Sequence, residues 1–285
     1  AGPASLPVRV LALTNGSRGD VQPFMALSLG LQRAGFIVRV LTNHNLVEFF
    51  ARHGVDAVSN EGGSWEYEQR NRPELQKALQ SGDSLGFFKA MGAINKEHFP
   101  SLFKTQLAEI RGFKPDLIIA SGLYYWHTRA LGIAWDIPVM YFGLQAVFPT
   151  GYETSMLGEP SWFPRCLHLA CNTFQIWIYI WMEWSEKFET IREMAPEIIP
   201  FLTGPGAHFA DVLDPTVQGV ISVSPHLYQR GADWPESLRP VYTGAWIVPA
   251  DEQRRRMKEG APEWGGETAS ALWEFLDAGA PPVYL

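Results

Sequence analysis

The chain has 285 residues, a net charge of -7 and a pI near 5.5, so it lacks the basic field that phosphate backbones require and nucleic acid is not an expected partner. That length accommodates one large or two modest domains with a well-buried core and excludes a small disulfide-stapled scaffold. The two cysteines, Cys166 and Cys171, stand five apart in an apolar stretch and would face different ways on a helix, so free thiols and a cytoplasmic setting are expected.

Residues 1–7 lack the basic start and apolar core of a signal peptide and read as a disordered leader. Val8 to Leu13 is an apolar run whose one charge is Arg9, as a parallel strand buried on both faces requires. Asn15 to Gly19 is a turn. From Val21 onward Phe24, Leu27, Leu29, Leu31 and Ala34 recur near helical spacing, Gly35 ends the pattern, and Ile37 to Leu41 is a second strand, which completes a βαβ unit. Asp20 falls where the first strand gives way to the helix, the edge at which open α/β sheets bind ligands. Gly16 and Gly19 are separated by two residues, so no G-x-G-x-x-G passes through them and a dinucleotide is not expected. Arg18-Gly19-Asp20 also matches a cell-adhesion tripeptide, a match short enough to arise by chance.

Further strand-like runs cover Asp56 to Val58, Asp116 to Ala120, Pro138 to Phe142 and Val220 to Val223, with helical stretches between most of them. The alternation predicts an α/β fold with a Rossmann-like, doubly wound parallel sheet and helices on both faces. Trp126 to Trp135 reads as a helix ended before Ile137-Pro138. Trp65 to Ile110, with Gly82, Gly86 and Gly92, reads as a flexible helical excursion over one edge of the sheet. In Phe163 to Met194, Phe174, Trp177, Trp181, Trp184 and Phe188 fall at i, i+3, i+7, i+10 and i+14 and form one aromatic stripe. That stripe is read either as core or as the lining of an apolar cavity or membrane edge. Cys166 to Met182 is at the low end of spanning length and carries Asn172, Thr173 and Gln175, so a buried or interfacial helix is preferred to a spanning one. From Trp246 the composition turns polar through Arg254-Arg255-Arg256 to Gly266, a linker, before Ala269 to Leu276 resumes an amphipathic helix. Pro281 to Leu285 begins an apolar strand. The expected division is residues 1–246 as one Rossmann-like domain and 247–285 as a linker with the start of a second.

Several residues have two readings. Asp20 is a helix N-cap or a functional carboxylate at the ligand-binding edge, roles that can coexist. Arg18 is a solvated loop charge or the ion-pair partner of Asp20. His44, in the loop after the second strand, is a cleft residue or a hydrogen-bonded surface group. His127 is expected in the first turn of a helix at the ligand-facing edge. Gln145 contacts a ligand or satisfies loop backbone. Ser17, Trp126, Trp177 and Trp181 complete the candidate cleft. No metal-ligand spacing is present.

Gly16-Ser17-Arg18-Gly19-Asp20-Val21-Gln22-Pro23-Phe24, followed by Ala26-Leu27, Gly30-Leu31 and Ala34-Gly35, resembles the N-terminal signature of the inverting GT-B glycosyltransferases that include sterol glucosyltransferases and antibiotic-aglycone transferases. Thr42-Asn43-His44 with Phe49, Leu144-Gln145 with Pro149-Thr150, Tyr242-Thr243-Gly244-Ala245-Trp246 and Pro281 to Leu285 resemble later family segments in the same order. The resemblance implies a two-domain enzyme. An N-terminal domain binds the acceptor, here a sterol or other flat lipophilic alcohol, and a C-terminal domain binds a UDP-sugar, which this chain alone would not hold. It implies that Asp20 is the general base, that no metal is needed, and that residues 1–246 are the acceptor-binding domain. The donor domain is then expected in cis or as a separate catalytic subunit, with peripheral membrane contact left open. A split-transferase subunit and a catalytically silent aglycone or lipid carrier are the other readings, because fold does not fix function.

Overall fold

The computed structural model describes residues 7–144, 150–151, 163–202, 219–227, 231–234, 236 and 240–280. Gln145 and the run 281–285 lie outside the described residues. The chain divides into two compact units, Ala1–Trp246 and Ile247–Leu285.

The first unit is built on a sheet whose described strands are all parallel: β1 (Arg9–Leu13), β2 (Ile37–Thr42), β3 (Asp56–Ser59), β4 (Leu117–Ser121), β5 (Val139–Gly143), β6 (Gly219–Ile221) and β7 (Val241–Tyr242). Their order is β3-β2-β1-β4-β5-β6-β7. The chain runs outward from β1 to β3 and then returns to the other side of β1, so the topological switch point lies between β1 and β4. The α/β, doubly wound architecture is the one expected from the alternation of runs. β7 was not anticipated, because two residues are too few to show a period.

Alternation along the strands sorts the buried residues into two layers. Leu11, Leu13, Leu41, Ile118, Ala120 and Tyr141 point into one core, which is closed by α5 (Ser84–Phe113), α6 (Gly122–Trp135) and the C-terminal part of α7 (His168–Met194). Phe142 points the other way and meets Phe24 of α1 (Arg18–Arg33) edge to face, ring centroids 4.7 Å apart. A short helix, α2 (Val47–Ala51), links β2 to β3.

The expected helical excursion is three helices: α3 (Trp65–Asn71), α4 (Pro73–Ser81) and α5. Arg72, extended ahead of Pro73, separates the first two, and Gly82, at φ +67°, caps the C-terminus of α4. Beyond it α5 is no edge feature. Phe99, Leu102, Phe103, Leu107, Ile110 and Phe113 recur at helical spacing and sit in the main core, and the helix runs through Gly86, Gly92 and Pro100. Apolar periodicity overrode the weak breakers.

The aromatic stripe of α7 divides. Trp184 packs on the core and stacks on Phe188, whereas Phe174, Trp177 and Trp181 are exposed. Among the described residues no helix is long and apolar enough to cross a membrane. Cys166 and Cys171 are free thiols.

In the second unit, the stretch read as linker contains a helix, α8 (Ala250–Lys258), and the amphipathic run forms α9 (Ala269–Asp277). Asp251 and Glu252 open α8 and Arg255, Arg256 and Lys258 close it, charges that match the helix dipole. Glu252 and Glu259 pair with Arg255 and Arg256 along the same helix. Composition suggested a linker because it is polar all round; the charge order is what makes it helical.

Candidate functional site

Four residues connect β1 to α1. Ser17, extended at φ -79° and ψ 170°, is the N-cap, and α1 begins at Arg18. Asp20 is therefore the third helical residue and not the cap, which corrects the expectation of a helix starting at Val21. The two residues form a capping box: the Asp20 N–H donates to the Ser17 hydroxyl at 3.4 Å, and Asp20 Oδ2 accepts from the Ser17 N–H and hydroxyl, each at 2.7 Å. Both of the bonds that Asp20 accepts fall on one carboxylate oxygen. Among the described residues Oδ1 accepts none, so it is the oxygen available to an incoming proton. Gly16 stands behind this carboxylate at φ +115°, and a Cβ there would meet Asp20 Oδ2 at 2.5 Å. Glycine is required twice over, by backbone and by space.

Loops from β2 and β3 grip the same turn. Asn43 Oδ1 accepts from the Gly16 N–H at 3.1 Å and its Nδ2 donates to the Gly63 carbonyl at 2.9 Å. The Gly16 carbonyl accepts from the Trp65 N–H at 3.0 Å. Glu66 accepts from the Arg18 N–H at 2.9 Å, on the first turn of α1. Partial burial works against the Glu66 charge, but the N–H groups of Arg18 and Glu66 itself, the Ser64 hydroxyl and Arg70 outweigh it and hold the carboxyl below its usual range. Asn45 and Ser64 exchange bonds at 2.8 and 3.0 Å, tying the two loops together. None of Asn43, Trp65 and Glu66 was singled out from sequence as a site residue. The available signal was an Asn directly after a strand and a Gly62-Gly63-Ser64 run directly before a helix.

His44 belongs to this loop cluster. Its Nδ1 lies 3.0 Å from the Gly62 carbonyl, so Nδ1 carries the proton and Nε2 is left as an acceptor. Its ring packs edge-on against Tyr67, and the residue is exposed. Arg18 does not pair with Asp20. Its guanidinium donates to Gln22 at 3.2 Å and lies over the Phe49 ring. The structure thus brings together Ser17, Arg18, Asp20 and His44.

The other candidates lie elsewhere. His127 is in the second turn of α6, not the first, and is buried between α5 and α6. Its Nε2 faces Gln106 at 3.0 Å, and the rings of Phe99, Phe103 and Tyr124 surround it. Burial, and then the neighbouring Lys187 ammonium, push its pKa well below that of an ordinary histidine. Trp126 is likewise in the core. Both were assigned to the cleft because α6 starts at the right edge of the sheet; helical phase turned them inward. Trp177 and Trp181 are exposed on α7, which packs on the α5 side of the sheet, opposite α1.

Thr14, Thr42 and Ser121 occupy one register row at the C-terminal ends of β1, β2 and β4, flanking the switch point. Their hydroxyls are buried without a partner among the described residues. The same edge carries Asp20. Among the described residues no cluster of His, Cys, Asp and Glu could hold a metal.

Residues 10–125, which span β1 through the start of α6, match the glycosyltransferase family 28 N-terminal domain. In a superposition with the calicheamicin glycosyltransferase CalG4 the TM-score is 0.52 at 12% identity, covering 84% of this chain and 52% of that one. The chain has the fold of an N-terminal GT-B domain. A sterol 3-beta-glucosyltransferase of Arabidopsis thaliana, UGT80B1, is 26% identical over 292 aligned positions, 99% of this chain and 43% of its own length. A sterol 3-beta-glucosyltransferase of Cryptococcus neoformans is 42% identical over 57 positions, 20% of this chain and 4% of its own. The GT-B domain thus spans less than half the length of the curated relatives it matches.

Proposed function

We propose that this GT-B domain is the acceptor-binding part of an inverting glycosyltransferase that glycosylates the hydroxyl of a sterol or similar flat, lipophilic alcohol. The observation that carries the reading is the Asp20 carboxylate beyond the C-terminal end of β1, with Oδ2 held by Ser17 and Oδ1 unengaged among the described residues. In this mechanism Oδ1 takes the acceptor's hydroxyl proton as the oxygen attacks the anomeric carbon of a UDP-sugar. The new C–O bond forms on the face opposite the departing diphosphate, the old anomeric C–O bond breaks, and UDP leaves with the bonding pair. A nucleotide-sugar site is supplied by a donor-binding half, in the same polypeptide or on a partner chain. The lipophilic acceptor is supported by the sterol-glucosylating relatives.

Asp20→Asn in the transfer-competent protein tests the reading. A rate loss of about 10²- to 10⁴-fold with acceptor binding retained is expected from removing a positioned base. Unchanged transfer would remove Asp20 from that role. Calorimetric titration of the 285-residue chain separates the two halves: a sterol in detergent should bind, and UDP-glucose should not. Acceptor binding in a protein that never transfers would favour a carrier.

A further inference from the structure

We propose that Asn43 is a positioning residue for Asp20, fixing the peptide that precedes the one holding the carboxylate; the inference rests on the reading of Asp20 as the base. A peptide plane is rigid, so the path of the turn depends on the two soft dihedrals at the Gly16 Cα. Glycine has little intrinsic preference there, and at φ +115° no side chain of its own helps to hold it. Both flanking planes are pinned from outside. The Gly16–Ser17 plane has its carbonyl on the Trp65 N–H and its own N–H on Asp20 Oδ2. The Asn15–Gly16 plane has its N–H on Asn43 Oδ1. Trp65 contributes through its backbone, so among the described residues Asn43 is the one side chain bonded to Gly16 itself.

The chemistry of the position suits asparagine. The side chain must accept from one backbone N–H and donate to the Gly63 carbonyl through a single planar group, which an ionised aspartate or an apolar residue cannot do. Asn43 is 3% exposed and Gly16 is buried, so the Gly16 N–H would be orphaned away from water without it. It is also anchored well. It follows β2 directly, and the Thr42 carbonyl before it accepts from the Asn60 N–H at 2.8 Å. The sheet's rigidity therefore passes through Asn43 to Gly16, and through the Ser17 N–H to the Asp20 carboxylate. Asn43 touches no reacting atom; it acts through Asp20.

Two measurements test this. The first uses the chain alone: amide exchange at Gly16, followed by NMR, should speed up by about 5–10-fold in Asn43→Ala, the value of one backbone bond. Asn43→Asp, which keeps an acceptor for that N–H, should retain the slow exchange. The second is a double-mutant cycle in the transfer-competent protein. Asn43→Ala should lower kcat about 10- to 100-fold with KM for the acceptor little changed, and should cost less than about 2-fold when added to Asp20→Asn. Asn43→Asp, which keeps the acceptor for Gly16 but loses the donor to Gly63, should recover part of kcat, and it remains a test if the alanine variant does not fold. Equal losses from Asn43→Ala in both backgrounds, or Gly16 exchange unaltered by it, would overturn the proposal. If Asp20→Asn itself keeps its rate, the base reading fails, and with it this role for Asn43, even where exchange shows that Asn43 holds the turn.

Discussion

Gly16→Ala isolates the geometry of the base from its chemistry. The substitution leaves every titratable group in place, yet the new Cβ would lie 2.5 Å from Asp20 Oδ2, and ordinary contact begins at 3.4 Å. The carboxylate, or the turn carrying it, must retreat by about 0.9 Å, the difference of those two distances. Displacements near 1 Å cost about 10²-fold in rate when a reacting group depends on alignment. The backbone adds its own cost, because φ +115° lies in a region that alanine avoids, at about 1–3 kcal/mol. In a domain of this size that corresponds to a fall in Tm of roughly 2–12 °C. Steady-state transfer kinetics with a sterol acceptor, paired with thermal melting, read both effects. The expected pattern is kcat down about 100-fold, KM for the acceptor nearly unchanged, and a lowered Tm. Gly30→Ala is the matched control. Gly30 is exposed on the same helix, and an added methyl there would find nothing within 4 Å, so the substitution should raise stability by about 0.5–1 kcal/mol without touching the rate. Full activity in Gly16→Ala would refute the claim that the Asp20 carboxylate is held where it reacts.

Three further outcomes follow from other parts of the first unit. His127 stays neutral when folded, whereas the unfolded chain takes up a proton there below about pH 6.5; stability should fall as pH drops through that value, and the fall in urea midpoint between about pH 7.5 and 5.5 should shrink in His127→Leu. Tyr124→Phe strands the buried Asn60 amide that donates to its hydroxyl at 2.8 Å, so chemical denaturation should show a loss of about 1–3 kcal/mol. Trp181→Ser alters an exposed side chain and should leave stability within about 0.5 kcal/mol, while calorimetry shows weaker sterol binding if the α7 aromatics meet the acceptor; unchanged affinity would assign that face elsewhere.

What sequence could reveal followed the length scale of the signal. Strands such as Leu117–Ser121 and the first helix carry their periodicity within one element, so the parallel, doubly wound architecture could be anticipated, whereas the strand order could not. Asp20 was legible for the same reason, since it sits beside the element that positions it. Helical phase was harder. His127 and Trp126 lie at the expected edge of the sheet but were assigned to a cleft; the buried amide of Gln106 and the Phe99 and Phe103 rings that claim His127 come from α5, more than twenty residues earlier. Asn43 and Glu66 were missed on the same account. Their partners, Gly16 and Arg18, are 27 and 48 positions away, and no local pattern in a single sequence encodes those pairings.

The arrangement around Asp20 explains why such distant residues belong to one site. A carboxylate in a helix's first turn would serve as a cap in any α/β protein, and capping needs nothing beyond Ser17. Here the cap is enclosed by contacts that capping does not require: Asn43 from the end of β2, Trp65 and Glu66 from the start of α3, and a glycine that admits no side chain between turn and carboxylate. Three successive βα connections thus converge on the turn that holds the carboxylate, and among the described residues Ser17 alone bonds it, at Oδ2. On the reading of Asp20 as a base, the unengaged oxygen is the one that takes the proton, because that oxygen must be oriented by the other and must not already be occupied.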